Sequence, residues 1–139
     1  MILLDSTVVV GFLDADDALH DVAVARIREH VGGQPLVASV ITYAEVMTGV
    51  ALGHHPSAAV EGFFDTLVAN LLPVDRRIAA RAATLRGGRR SLPMPDALIL
   101  ATADLEPEVE EVLCADGEWP KVEGLSCRVD LLGVAAPDL

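Results

Sequence analysis

The sequence predicts an α/β fold in which helices flank a largely parallel β-sheet. Short apolar runs alternate with longer stretches of helical periodicity, and glycine pairs or prolines separate several of them. Because strands that alternate with helices form βαβ units, we expect the strands to pair in parallel. The chain has 139 residues, 52% of them apolar, which is enough for one compact core. Residues 1–139 are therefore predicted to form a single domain.

The first predicted unit is a strand followed by a helix. Residues 1–4 are a short apolar run that Asp5 ends, which is typical of a buried strand with a carboxylate at its C-terminal end. Residues 17–31 have apolar side chains at helical spacing, and the glycine pair 32–33 is expected to stop this helix. Residues 36–38 are the next predicted strand.

A helix is predicted from Ser39, as its N-terminal cap, to Gly53. The segment is the most apolar long stretch of the chain, yet it contains Glu45 near its middle. A carboxylate inside a bilayer is costly, so the stretch is interpreted as a buried helix and not as a membrane span.

The second half of the chain continues the alternation of helices and strands. It is predicted to contain a helix at 58–68, a strand at 71–74, an arginine-rich helix between an Asp75 cap and Gly87-Gly88, a buried helix from Asp96 after Pro93 and Pro95, and strands at 112–115 and 126–131.

The formal charge of −11 argues against broad attraction to nucleic acid, since phosphate binding normally uses a basic surface. The charge is nevertheless distributed unevenly. Six of the ten basic residues lie at 76–90, while acidic residues crowd 104–111. A local anion site is therefore compatible with the acidic total.

Four acids interrupt or adjoin apolar runs, which is unusual for solvated carboxylates. They are Asp5, Glu45, Asp96 and Asp116. Each has an ordinary structural explanation: Asp5 ends a strand, Asp96 caps a helix, and Asp116 makes a turn with the following glycine. Glu45 is the hardest to explain this way, because no basic residue is near it in sequence.

If these acids converge, a divalent cation becomes the expected companion. Asp5 and Asp116 both follow predicted strands, and parallel sheets bind ligands beyond the carboxyl ends of their strands. Two carboxylates about 4 Å apart repel by about 4 kcal/mol at an effective dielectric of 20. Mg²⁺ or Mn²⁺ relieves this repulsion with oxygen ligands and supports phosphodiester hydrolysis.

Four segments together resemble the PIN-domain nucleases of the VapC toxin type. The matching stretches are ILLDST at 2–7, ASVITYAEV at 38–46, PDALILATA at 95–103 and VLCADGEW at 112–119. The resemblance spans essentially the whole chain. It implies a PIN-like three-layer sandwich, Mg²⁺- or Mn²⁺-dependent endoribonuclease activity on RNA, a homodimer, and inhibition by a cognate VapB-type antitoxin.

Residue roles follow from the same resemblance. Asp5 and Asp96 would be the most direct metal ligands, and Glu45 and Asp116 would complete the acidic pocket directly or through water. Asp116 is counted among the metal ligands. Ser6 matches a small hydroxyl residue that could orient Asp5 or a water, although it could equally be the N-cap of a following helix.

Two features depart from the family pattern. Cys114 stands where the family commonly has Thr or Ser, so one orienting hydrogen bond is expected to be lost. The acidic stretch at 104–111 is heavier than usual and is interpreted as a solvated loop, with an antitoxin contact as the alternative.

Arginines near the predicted pocket are candidates for holding substrate phosphates, because a guanidinium can grip a phosphate with two hydrogen bonds. The candidates are Arg77, Arg81, Arg89 and Arg90. A solvated helix face is the alternative. Trp119 is expected in the core or at the dimer interface.

Two other functions remain open at this point. A receiver-like signalling domain also gathers acids at strand ends and could use Asp75 as its phosphoacceptor, but the paired acids expected after its first strand are missing. The other is a PIN domain that binds RNA or protein without cutting.

The cytoplasm is the predicted compartment. No basic leader with a short apolar core opens the chain, since Asp5 interrupts the apolar start. Cys114 and Cys127 are too few for a disulfide framework and lack zinc-site spacing.

Overall fold

The computed structural model describes residues 1–133 and confirms the α/β prediction. Its five strands, β1 to β5, are Ile2–Leu4, Leu36–Ser39, Asn70–Leu72, Glu111–Cys114 and Arg128–Leu131. They form one sheet in the order β3-β2-β1-β4-β5, and every neighbouring pair is parallel. The six helices, α1 to α6, are Ser6–Leu13, His20–His30, Val40–Ala51, Ser57–Thr66, Arg76–Gly88 and Met94–Leu105. A short 3-10 helix, Trp119–Lys121, lies between β4 and β5.

Helices cover both faces of the sheet, as the predicted three-layer sandwich requires. Side chains alternate across the central strand: Leu3 packs in one apolar cluster with α5 and α6, whereas Ile2 and Leu4 pack in a second with α1, α2 and α4. All three side chains of β1 are buried. The centre of the sheet is therefore fixed by two cores at once.

Helix α1 was missing from the predicted elements. It follows β1 directly, and its sequence, STVVVGFL, has too few polar residues to show a helical period. Gly11 lets the next helix approach, since a Cβ at this position would lie 3.3 Å from the Cβ of Ala23. The predicted helix at 17–31 begins later, at His20.

Both predicted N-terminal caps are confirmed. The Ser39 Oγ accepts a hydrogen bond from the Ile41 amide at 3.0 Å, and Asp75 Oδ1 accepts one from the Ile78 amide at 2.8 Å. Each bond satisfies an amide that has no partner within its helix.

The prediction that the segment around Glu45 is a buried helix was wrong for α3. Thr42 and Val46 are its buried residues, while Ala44 and Glu45 are exposed. Only one side of the helix packs against the rest of the protein. Its apolar composition therefore predicted more burial than the structure shows. Helix α6 differs, since six of its residues, from Ala97 to Ala103, are buried.

The acidic stretch at 104–111 is only partly a solvated loop. Asp104 belongs to α6 and binds Arg81 Nε at 2.7 Å. Glu111 begins β4 and is buried, where Arg128 and Arg26 approach it. These carboxylates have structural partners, which the sequence concealed because the arginines come from distant elements.

Within residues 1–133, no helix combines the length and apolarity needed to cross a bilayer.

Loss of the Asp75 cap should destabilise the fold measurably. We expect Asp75→Ala to lower the free energy of unfolding by about 1 kcal/mol, because the Ile78 amide loses its acceptor. Urea unfolding followed by circular dichroism measures this. The control is Glu108→Ala, since Glu108 is exposed and its side chain accepts no hydrogen bond within residues 1–133. Equal stability of the two variants would contradict the capping role.

Candidate active site

The candidate site lies where the strand order of the sheet reverses. From β1 the chain moves to β2 on one side, whereas β4 lies on the other side of β1. Such a reversal leaves a crevice beyond the carboxyl ends of the two strands. Asp5 is the residue after β1, and its amide donates to the Leu113 carbonyl of β4 at 3.0 Å. The first predicted acid therefore lies at this crevice.

Asp5 is buried, with 3% of its surface exposed. Burial raises the pKa of its carboxyl group, and the neighbouring carboxylate of Asp96 raises it further. The Thr7 hydroxyl donates to Asp5 Oδ2 at 2.7 Å and opposes part of this increase. A neutral donor orients the carboxylate here without cancelling its charge.

Asp96 lies in the first turn of α6, two residues after Met94 begins the helix. Its Oδ2 accepts a hydrogen bond from the indole Nε1 of Trp119 at 3.0 Å. Desolvation raises the pKa of Asp96, Trp119 lowers it, and the charge of Asp116 raises it again. Trp119 is almost fully buried, so the bond also satisfies an indole that would otherwise lack an acceptor.

Glu45 reaches the site from α3, although the residue is exposed to solvent. Desolvation raises the pKa of its carboxyl group, and the charges of Asp5 and Asp96 add to the increase. The Ser6 hydroxyl lowers this pKa as a hydrogen-bond partner. Ser6 is thus associated with Glu45, while the N-cap position of α1 is occupied by Asp5.

Asp116 lies in the loop after β4. Its Oδ1 accepts from the Glu118 amide at 2.9 Å, which closes a local turn. The Cys114 thiol lies 3.8 Å from the Asp116 carbonyl oxygen as a donor. The thiol at this position therefore still contacts the loop of the fourth acid, through its backbone.

The four acids interact through their charges at one edge of the sheet. Asp96 raises the pKa of Asp5 and of Glu45, and Asp116 raises that of Asp96. No cation of the described chain lowers the pKa of Glu45 or Asp96. Within residues 1–133, however, no three His, Cys, Asp or Glu side chains are clustered as a ready-made metal site. The arrangement is an uncompensated negative cleft with oxygen donors.

Two residues of this site were missed by sequence reasoning. Thr7 had no assigned role, and Trp119 was assigned to the core or a dimer interface. Trp119 is in the core, but its indole also binds Asp96. A buried indole N–H needs an acceptor, and this requirement was the available signal.

The predicted phosphate-binding arginines occupy two kinds of environment. Arg81 and Arg89 are half-buried. Arg81 pairs with Asp104, and Arg89 Nη2 lies 2.7 Å from the Glu118 carboxylate. Arg77 and Arg90 are exposed and form no ion pair within residues 1–133. Asp75, the alternative phosphoacceptor, follows the edge strand β3 and caps α5.

Comparison with known proteins gives a family and a set of similar folds. The model of the PIN domain family matches residues 2–124. A comparison with curated proteins found no match.

Three solved structures illustrate the structural similarity. VapBC2 from Rickettsia felis, bound to a promoter DNA fragment, aligns with a TM-score of 0.73 at 15% identity, over 94% of this chain and 98% of that one. A toxin–antitoxin complex from Klebsiella pneumoniae aligns with a TM-score of 0.65 at 25% identity, over 84% and 87%. VapC20 from Mycobacterium tuberculosis, described as a toxin that cleaves the sarcin–ricin loop, gives 0.69 at 18%, over 92% and 99%.

The buried charge of Asp5 should make the metal-free protein less stable at neutral pH. A folded-state pKa above the ordinary value of 3.8 means that the folded protein holds this proton more tightly than the unfolded chain. Stability therefore falls as the pH rises from 3.8 through the folded pKa. We expect Asp5→Asn to raise the melting temperature in EDTA at pH 7.5, by about 4 °C for each kcal/mol gained.

The advantage of Asp5→Asn should shrink as the pH falls through the folded-state pKa of Asp5, because the wild-type carboxyl group takes up a proton there. Asp16→Asn is the matched control, because Asp16 is exposed. A melting temperature that falls on Asp5→Asn at neutral pH would show that the Asp5 charge stabilises the metal-free fold.

Proposed function

The chain belongs to the PIN domain family, and from this premise we propose that it is a Mg²⁺- or Mn²⁺-dependent endoribonuclease, the toxin of a type II toxin–antitoxin pair. The observation that carries the proposal is a set of four acids linked by charge: Asp96 raises the pKa of Asp5 and of Glu45, and Asp116 raises that of Asp96. Uncompensated carboxylates in a cleft destabilise the folded protein, and binding of a cation offsets this cost. Their presence therefore indicates a site for a cationic ligand.

The oxygen donors of this cleft fit a hard divalent cation. We assign Asp5 and Asp96 as the direct ligands, and Glu45 and Asp116 as groups that complete the pocket, with Asp116 also a ligand. Mg²⁺ keeps several of its waters, so a site needs only one or two direct carboxylates. This explains how a cleft whose acids are not tightly clustered can still bind an ion. When bound, the ion activates a water and neutralises charge on the leaving oxygen.

The chain's own residues orient the reacting groups. Thr7 donates to Oδ2 of Asp5 and Trp119 donates to Oδ2 of Asp96, so a neutral donor orients each carboxylate. We propose that Ser6, which lowers the pKa of Glu45, helps to orient that carboxylate. By resemblance, the products carry 5′-phosphate and 3′-hydroxyl ends.

The remaining expectations are part of the same proposal. A VapB-type antitoxin is the proposed inhibitor, and its support is that the similar structures from Rickettsia felis and Klebsiella pneumoniae are of toxin–antitoxin systems. We also propose a homodimer in the cytoplasm, and a single domain over residues 1–139. Exposed Arg77 and Arg90 are proposed contacts for RNA phosphates. Strand β5, beyond the family match, pairs with β4 and so belongs to the same sheet.

Removal of a direct ligand should abolish cleavage. We expect Asp96→Asn to lower the rate of RNA cleavage by more than about 100-fold, the upper range for loss of an outer-shell partner. The measurement is end-mapping of RNA incubated with purified, antitoxin-free protein in Mn²⁺ or Mg²⁺, with EDTA as the metal-free arm.

The control for this assay is Asp65→Asn, since Asp65 is exposed on α4. Wild-type cleavage that persists in EDTA would contradict metal dependence. A folded wild-type protein that cleaves no RNA with either metal would favour the non-cleaving binding module.

Trp119 should act on activity through the pKa of Asp96. The indole hydrogen bond lowers that pKa, so Trp119→Phe should raise it, and the acid limb of the pH–rate profile should move to higher pH. Stability should also fall, by about 1–2 kcal/mol, because a large buried side chain is reduced. Phe64→Leu, in the opposite core, is the control that should lower stability without moving the limb. If the acid limb of the pH–rate profile did not move in Trp119→Phe, Trp119 would have only a packing role.

A further inference from the structure

A second, cationic cavity lies beside the acidic cleft. It has a volume of about 370 Å³ and lies between α5 and the segment around the 3-10 helix. Its lining includes three basic residues, Arg81, Arg89 and Lys121, and one acid, Glu123. Three cations around one cavity are notable in a protein whose formal charge is −11.

A carboxylate of the same chain, that of Glu118, binds two of these cations. Glu118 lies 2.7 Å from Arg89 Nη2 and 3.1 Å from Lys121 Nζ. The Glu118 and Lys121 side chains are both more than half exposed, so this pair is open to exchange with a dissolved anion. Arg81, by contrast, is committed to Asp104 and to the Gly124 carbonyl. Arg89 and Lys121 are therefore the exchangeable cations.

Glu118 satisfies the Arg89 guanidinium only in part. Arg89 Nε is buried and has no acceptor within residues 1–133. A guanidinium binds a phosphate or carboxylate best through two parallel hydrogen bonds. Of the Arg89 donors, only Nη2 donates to Glu118. A backbone phosphate has two non-bridging oxygens, which can accept from Nε and Nη2 together, and either of them can also meet a nearby ammonium group.

The cavity and the acidic cleft share one short segment. The Glu118 amide donates to Asp116, and Trp119, the next residue, donates to Asp96. An RNA strand that enters the acidic cleft meets like charge there, so it needs cations close by to hold its neighbouring phosphates. Lys121 of the shared segment and Arg89 at the end of α5 are cations in this position.

We infer that Arg89 and Lys121 form a binding site for a backbone phosphate of RNA, and that the Glu118 carboxylate fills this site until RNA displaces it. The inference rests on the proposed function, because RNA is the assumed ligand. Glu118 then competes with RNA for the two cations. Its removal should strengthen RNA binding even though the residue lies in the same loop as Asp116. A purely structural ion pair would behave in the opposite way.

The test measures RNA binding in EDTA, where no cleavage is needed. The probe is a fluorescent single-stranded RNA of about 12 nucleotides, titrated at several salt concentrations. Glu118→Gln should bind about two- to fivefold more tightly, as expected when an exposed ion pair no longer competes. Lys121→Ala should bind more weakly and reduce the slope of log K against log salt by about 0.7, the loss of one phosphate contact. Lys121→Arg should restore the slope.

The matched control is Arg28→Ala, an exposed arginine on α2, in the other helical layer. It should change neither affinity nor slope, and thermal unfolding should show that all variants fold. Weaker RNA binding by Glu118→Gln, or an unchanged slope for Lys121→Ala, would overturn the inference. So would tighter binding of a polyglutamate peptide than of the RNA, which would assign the cavity to an acidic protein segment. Failure of the nuclease proposal would appear separately, as absence of metal-dependent cleavage by the wild type.

Discussion

The repulsion between the buried Asp5 carboxylate and its acidic neighbours is the constraint on which the rest of the structure depends. Asp5 is nearly inaccessible to solvent and senses the charge of Asp96, while neutral donors, not cations, bind these two acids. A fold can hold such charges only on a rigid frame, because any looseness would let the carboxylates separate and hydrate. The three-residue strand β1, buried on both faces and paired on both sides, is that frame.

Positive charge is kept near the acidic cleft but does not neutralise it. Two of the candidate phosphate-binding arginines are held by other acids: Arg81 by Asp104, and Arg89 by Glu118. If a guanidinium bound Asp5 or Asp96 directly, the cleft would have no remaining affinity for a cation. The separation lets one small domain attract a metal ion at one place and a polyanion at another, as we propose.

The sequence predicted what depends on neighbouring residues, and it missed what depends on distant ones. The caps at Ser39 and Asp75, the end of β1 at Asp5 and the parallel sheet follow from local signals, and all are present. The exposure of Glu45 could not be predicted from its apolar neighbours in sequence, because a helix that packs on one side can also have apolar residues on its exposed side. The partners of Trp119, Asp104 and Glu111 lie 23, 23 and 17 residues away in sequence, beyond any local pattern.

The segment that comprises the loop after β4 and the 3-10 helix joins two sites that would otherwise be separate. It carries the fourth acid, the competitor carboxylate, the indole donor and the cavity's lysine within six consecutive positions, 116 to 121. An insertion or deletion there would misplace all four groups in one step. Relatives that change RNA preference are consequently expected to vary the side chains of this loop while conserving its length, because only then can recognition diverge without loss of chemistry.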